Sequence, residues 1–244
     1  MTTSPASFAN HELHQRVAAN LTEVRRRIVA TGRSLSSVRL VGVTKSFTPD
    51  VVRVAVALGL STLGENYVDE LRTKHDATRD VGVEWHYLGA LQSNKIARVL
   101  EIADVICGVS RVKEIEKIAS LRPATPIYVQ VDFTRDGVRN GAAPSHVALV
   151  VARALTLGLE VRGLMTVAPT GVREAREAFR ATSDLADELG LVERSMGMSD
   201  DLELACECGT SEVRVGRALF GPRDPERGPW PNMGAGGTAS RRTE

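Results

Sequence analysis

The sequence predicts one α/β domain, a single (β/α)8 TIM barrel with an extra helix at its N-terminal side. Eight short runs rich in apolar residues alternate with helical patterns and no long interruption separates them. Strands that alternate with helices build parallel sheets, and eight is the number at which such a sheet closes into this barrel. No Gly-x-Gly-x-x-Gly follows the first strand, which weakens the open, doubly wound alternative. A length of 244 residues accommodates one large domain or two small ones.

The opening Met1 to Ser7 is small and polar and is expected to fray. Leu13, Val17, Leu21, Val24 and Ile28 then recur at spacings of three and four, one face of an amphipathic helix that Gly32 ends. Strands are expected over Leu40–Thr44, Thr62–Glu65, Glu84–Leu88, Asp104–Gly108, Ile127–Asp132, Val161–Val167, Arg194–Met198 and Glu212–Val215. The first is an apolar run bounded by Lys45, with Pro49-Asp50 opening a helical pattern behind it, as in a buried parallel strand of a βα unit. Helices are expected near Asp50–Leu58, Val68–Thr78, Ser93–Ile102, Val112–Leu121, Ser145–Leu157, Val172–Leu189 and Asp200–Cys208. From Gly221 onward the chain is rich in Pro, Gly, Ser and Arg without apolar periodicity, and Gly234-Ala235-Gly236-Gly237 has linker composition. The expected division is a flexible 1–7, a barrel domain over 8–223 and a disordered 224–244.

Charge is nearly balanced, 31 basic against 30 acidic residues, so no strong field for nucleic acid or a membrane surface is implied. The 43% hydrophobic and 25% charged content is that of an ordinary globular protein. Cys107, Cys206 and Cys208 form no CxxC and no disulfide framework, which suits a reducing cytosol, and no metal site is read from them. The N-terminus carries no basic-then-apolar leader and no apolar run is long enough to span a bilayer, so a soluble, cytoplasmic protein is expected. No large apolar patch is identifiable, which makes a monomer the default.

In a barrel the residues that end each strand converge on one face. Lys45 belongs to that face. An ammonium at an apolar mouth is costly when charged, so its pKa should fall and its free amine should become nucleophilic, a candidate Schiff-base former. Read alone, the segment favours a surface lysine one residue beyond the strand. Asn66, after the second strand, can donate and accept hydrogen bonds to a planar polar ligand, although Gly-Asn pairs are also turn chemistry. After the third strand, Ser93 reads as a helix N-cap, and Gln92, Asn94 and Lys95 remain as surplus polar groups. His86 reads as a hydrogen-bonded core residue. Gly197-Met198-Ser199-Asp200-Asp201 places a hydroxyl at a helix start, and Val213-Arg214-Val215-Gly216-Arg217 ends the last strand in a glycine with accessible backbone amides. Loops after strands seven and eight often form a phosphate site. Ser199 as a plain N-cap is level with Ser199 as a ligand group until Arg214, alternating onto the face of Gly216, favours the ligand.

With Lys45, Gly64-Glu65-Asn66-Tyr67, Leu91-Gln92-Ser93-Asn94-Lys95, Arg162-Gly163-Leu164-Met165, Gly197-Met198-Ser199-Asp200-Asp201 and Val213-Arg214-Val215-Gly216 in order, the chain closely resembles the pyridoxal 5′-phosphate homeostasis proteins. These are relatives of the N-terminal barrel of alanine racemase, the type III pyridoxal phosphate fold. The resemblance runs from about Arg39 to Arg223 and accommodates the N-terminal helix. It implies that Lys45 forms a Schiff base with the cofactor's aldehyde and that Asn66 and Met165 line the ring. It also implies that Ser199 with the backbone of Gly216 and Arg217 holds the phosphate and that Arg214 faces the pyridine nitrogen. The implied role is to bind pyridoxal phosphate and supply it to apo-enzymes, without an established catalytic reaction. Three departures from the family stand out: Arg217 where a small hydroxyl residue is usual, Ala90 where a proline is common, and Asp132 and Arg139 where Asn and Lys are frequent.

Two other functions compete with this one. A pyridoxal phosphate-dependent amino-acid racemase of this fold carries a second, β-rich domain with a second acid-base residue, and only 29 residues follow the last expected strand. A cofactor-free Schiff-base aldolase would use Lys45 directly, but it offers no evident acid-base partner and leaves Ser199 and Arg214 without a role.

Overall fold

The computed structural model describes residues 5–134 and 140–222, with side chains from Asn10 onward. The chain opens with a long helix, α1 (Pro5–Ala30), and a short 3-10 turn over Leu35–Ser37. Strand–helix pairs follow in strict alternation: β1 (Arg39–Val43) and α2 (Asp50–Ala57), β2 (Thr62–Glu65) and α3 (Val68–Ala77). Next come β3 (Glu84–Tyr87), α4 (Ile96–Leu100), β4 (Val105–Val109) and α5 (Val112–Leu121). Then β5 (Pro126–Val131) leads to α6 (Pro144–Thr156), and β6 (Glu160–Thr166) to α7 (Val172–Glu188). Last are β7 (Glu193–Ser195), α8 (Leu202–Glu207), β8 (Glu212–Val215) and α9 (Arg217–Phe220). The eight strands are parallel and the sheet closes, with Arg39 of β1 opposite Glu212 of β8 and Gly42 opposite Leu63 of β2.

The expected barrel is thus present, and β2, β8 and α5 coincide with their expected limits. Four boundaries differ for physical reasons. Helix α1 begins at Pro5, inside the stretch read as frayed, because a proline fits the first helical turn, where its missing N–H costs nothing. Ser93 is not a helix cap: the Lys95 N–H bonds the Gln92 carbonyl in a separate turn, so α4 starts only at Ile96. Strand β7 stops at Ser195 because Gly197, at φ 96°, turns the chain out of the extended conformation. The same loop takes up Ser199 and Asp200, so α8 starts at Leu202 behind Asp201. The expected tail over 224–244 and the departure at Arg139 lie outside the described residues.

Strands buried on both faces require continuous apolar runs, and Val105, Ile106, Cys107 and Val109 of β4 are completely buried. Helix α1 buries Val17, Leu21, Val24 and Ile28, the expected stripe, and packs against α2, α8 and α9. The barrel interior itself is partly polar. His86, Cys107, Tyr128 and Glu212 are buried inside it, and Glu212 bonds Ser195 Oγ at 2.6 Å. Arg39, Glu193, Glu84 and Arg162 surround the strand starts, with Arg39 reaching Glu193 at 3.0 Å and Arg162 reaching Glu84 at 3.1 Å. A charged network therefore closes the bottom of the barrel and leaves the opposite, carboxyl end to the cleft described next. Among the described residues no helix is long and apolar enough to cross a membrane.

Candidate functional site

The carboxyl ends of the strands enclose a cleft of about 560 Å³. Its lining includes all seven residues that the resemblance assigns to the cofactor: Lys45, Asn66, Met165, Ser199, Arg214, Gly216 and Arg217. These come from loops or strand ends of β1, β2, β6, β7 and β8, up to about 170 positions apart in the chain, and only barrel closure brings them together.

Lys45 lies in the turn directly after β1. The residue behind it, Ser46, has φ 67°, a left-handed backbone unusual for a residue other than glycine. Beneath this turn is a buried ionic group formed by Glu65 at the end of β2 with Glu70 and Lys74 of α3. Lys74 Nζ bonds Glu65 at 2.5 Å, Glu70 at 2.9 Å and the Thr44 carbonyl at 2.6 Å. Glu70 in turn accepts the Ser46 N–H at 2.7 Å. Burial pushes the Glu65 carboxyl above its ordinary pKa, and the nearby Lys74 ammonium opposes that shift.

Arg214 and Met165 form the floor. Arg214 is 4% exposed, and its guanidinium donates to the Ser195 carbonyl at 2.6 Å, the Ser195 hydroxyl at 2.8 Å and the Thr166 carbonyl at 2.7 Å. Desolvation lowers its pKa while Glu212 raises it, and a guanidinium starts high enough to remain a cation at neutral pH. Met165 packs on Cys107 and Tyr128 with Leu88 and Val167, a soft apolar surface at the base of the cleft. Asn66 is held by close backbone packing. A Cβ on Gly89 would sit 2.1 Å from the Asn66 carbonyl, so only glycine lets the β3 loop approach.

At the other end, Ser199 Oγ accepts the Ala218 N–H at 3.2 Å, where α9 begins. Arg27 of α1 donates to the Ser199 carbonyl at 3.0 Å and pairs with Glu203, which ties the long first helix to this loop. Gly216 is confined, since a Cβ there would lie 3.0 Å from the Val43 carbonyl. The Arg217 guanidinium pairs with the Asp200 carboxylate in an exposed ion pair. Ser199 is therefore a loop residue facing the start of α9 and not the cap of α8.

One expectation is corrected here. Gln92 and Asn94 are exposed and, with Lys95, do not line this cleft, because their turn points the segment outward before α4 begins. His86 is a core residue, as expected, with a hydrogen bond between Nδ1 and Cys107 Sγ at 3.7 Å and Glu212 3.8 Å from the same nitrogen, while Nε2 faces the Glu84 carboxylate at 3.7 Å. Sequence reasoning missed Gln130, a lining residue whose amide is bonded to Asn140, as well as the Glu65–Glu70–Lys74 group and the Ser195–Glu212 support of Arg214. The four-residue spacing of Glu70 and Lys74 was a usable signal, but it reads equally as a solvated helix pair. The cleft presents a primary amine at one end, hydroxyl, backbone and guanidinium donors at the other, and a fixed cation with an apolar floor between them. That donor set suits a flat aldehyde bearing an anionic group.

The family profile described as alanine racemase, N-terminal domain, matches residues 14–224. The pyridoxal phosphate homeostasis protein of Pseudomonas aeruginosa is 38% identical over 221 residues, covering 85% of this chain and 96% of that one. Its counterpart from Deinococcus radiodurans is 37% identical over 209 residues, covering 84% and 99%. The structure of PipY from Synechococcus elongatus, solved with pyridoxal phosphate bound, superposes with a TM-score of 0.76 at 31% identity, covering 84% of this chain and all of that one. An alanine racemase from Clostridium difficile, at 15% identity and a TM-score of 0.68, shares the fold over 87% of this chain and 59% of its own.

Proposed function

The chain belongs to the pyridoxal phosphate homeostasis proteins, and from that premise we propose that it binds pyridoxal 5′-phosphate through a Schiff base on Lys45 and serves intracellular vitamin B6 homeostasis as a carrier of the cofactor. The observation that carries this reading is the meeting of Lys45 with Ser199, Gly216 and Arg217 across one cleft. When bound, pyridoxal phosphate supplies an aldehyde that condenses with an amine and a ring that withdraws electrons. The residues divide the remaining work. Ser199, the backbone beside Gly216 and Arg217 hold the phosphate. Met165 and Asn66 would line the ring. Arg214 is a permanent cation, so it disfavours a proton on the ring nitrogen and leaves the ring a poor electron sink.

That last property favours storage over turnover. Racemisation removes a proton on one face and returns it on the other, which needs two positioned acid-base groups. Among the described residues lining the cleft, the titratable side chains are Lys45, Asp200, Arg214 and Arg217. Asp200 is 80% exposed and paired with Arg217, so it is not held as a positioned acid-base group. We therefore read the protein as a non-catalytic, cytoplasmic carrier built on the barrel unit 8–223. It acts as a monomer and delivers cofactor to apo-enzymes.

The test is direct. Purified protein reconstituted with pyridoxal phosphate should be yellow, and borohydride should fix the cofactor to Lys45 on peptide mapping. Lys45→Ala should lose the visible band and keep the fold. A label on Lys95, or no label, would overturn the assignment. Turnover of any amino acid at roughly 1 s⁻¹ or faster would restore the racemase reading.

A further inference from the structure

The buried Glu65–Glu70–Lys74 group has no evident structural need. Two carboxylates and one ammonium are almost fully enclosed, with relative exposures of 0–1%. Among the described residues Glu65 Oε2 and Glu70 Oε1 have no hydrogen-bond partner. Burying charges in this way is expensive, and an apolar group of similar shape would serve the fold as well or better. What the group does achieve is local. It grips both peptide units that flank Lys45: the Thr44 carbonyl is taken by Lys74 at 2.6 Å, and the Ser46 N–H by Glu70 at 2.7 Å. Thr44 Oγ1 is bonded to Glu65 at 2.6 Å as well. The residue after Lys45 is the one held in the left-handed conformation, at φ 67°. A non-glycine residue pays for that conformation unless its surroundings impose it.

We propose that Glu65, Glu70 and Lys74 form a clamp of positioning residues that fixes the backbone on both sides of Lys45, so that its amine meets a cofactor aldehyde in one orientation. Lys74 organises the clamp, since it binds both carboxylates and the Thr44 carbonyl at once. Glu70 makes the decisive hold through the Ser46 amide. The clamp does not touch the ligand. It acts on covalent capture and leaves recognition of the phosphate and ring to other residues.

This inference rests on the pyridoxal phosphate reading, and the experiment separates the two. Glu70→Leu removes the acceptor at nearly constant volume, and Glu70→Gln keeps one. Each variant is titrated with pyridoxal phosphate and with pyridoxine phosphate, which carries the same ring and phosphate but no aldehyde. Borohydride-fixed cofactor is then measured as a fraction of the total bound. In Glu70→Leu, affinity for pyridoxal phosphate should fall at least tenfold and the fixed fraction should drop, while affinity for pyridoxine phosphate stays within threefold. Glu70→Gln should stay within threefold of the parent for both ligands. An equal loss for both ligands, or no loss for either, overturns the clamp. If the parent protein itself binds neither ligand, the cofactor reading has failed. Should Glu70→Leu not fold, Thr44→Val weakens the hold on the other side of Lys45 by removing the hydroxyl that donates to Glu65 at nearly constant volume, and the same selective loss is expected. An unchanged fixed fraction in that variant overturns the proposal.

Discussion

Arg217 is the residue where this chain leaves its family, and its surroundings decide how much that matters. Its guanidinium is 63% exposed and engaged by Asp200, so it reaches a phosphate only by giving up that partner. Replacement by threonine would restore a hydroxyl but release the Asp200 carboxylate near the same anion. Exposed charge effects of this kind are worth at most about 1 kcal/mol. The backbone N–H beside Gly216 is unchanged in either case. Arg217→Thr should therefore alter pyridoxal phosphate affinity by less than about tenfold, roughly 1.4 kcal/mol. Ser199→Ala should cost as much or more, because it removes a hydroxyl that also anchors the Ala218 N–H. Titration of apo-protein checks both, and a hundredfold loss for Arg217→Thr beside a silent Ser199→Ala would make the guanidinium the anchor.

Among the elements, β7 is the weakest link in the barrel, since it has three residues and a single registered partner pair with β8. Its contact with β6 is tight. A Cβ on Gly163 would lie 1.9 Å from the Glu193 carbonyl, against backbone that cannot swing away. Gly163→Ala must separate the two strands, and overpacking against fixed backbone costs about 3 kcal/mol. The loss would be read as a lower denaturation midpoint in urea. A cost below about 1 kcal/mol would mean that β7 shifts freely along its neighbour. Through Met196, Gly197 and Ser199 the same displacement would reach the cleft, so cofactor affinity should fall in parallel with stability.

On the scale of the whole molecule, the charged bottom of the barrel sets an acid limit. The neighbouring His86 imidazole, 3.7 Å away, and the Arg162 guanidinium, at hydrogen-bond distance, lower the Glu84 carboxyl from 4.5 to about 2. A folded pKa below the unfolded one means stability that is fully present above the unfolded value and lost as pH falls through the folded one. The window here is about pH 4.5 down to 2. Glu84 is 35% exposed, and solvent screening reduces its contribution to about 1 kcal/mol. Glu84→Gln should lower stability by about that amount near pH 6.5, and most of the difference should be gone near pH 2.5. Urea denaturation at the two pH values tests this, and an equal loss at both would assign the effect to packing.

The sequence by itself determined the barrel, the order of its strands and seven of the residues that line the cleft. Apolar runs and helical stripes are local patterns, and in a closed parallel sheet strand order alone dictates which segments share an end. Lys45, Asn66, Met165, Ser199, Arg214, Gly216 and Arg217 could therefore be grouped before any contact was visible. Tertiary structure alone decided where the charges of Glu65, Glu70, Lys74, Glu84 and Glu212 end up. In the sequence each reads as a solvated side chain on a helix or strand end. Which face turns inward, and how nearly a carboxylate meets an ammonium there, depends on packing between elements distant in the chain. The same holds for the late starts of α4 and α8, where turns between neighbouring elements outcompeted the local capping signals of Ser93 and Ser199. Burial turns an ordinary charged residue into a constraint on its neighbours, and burial is a property of the closed barrel.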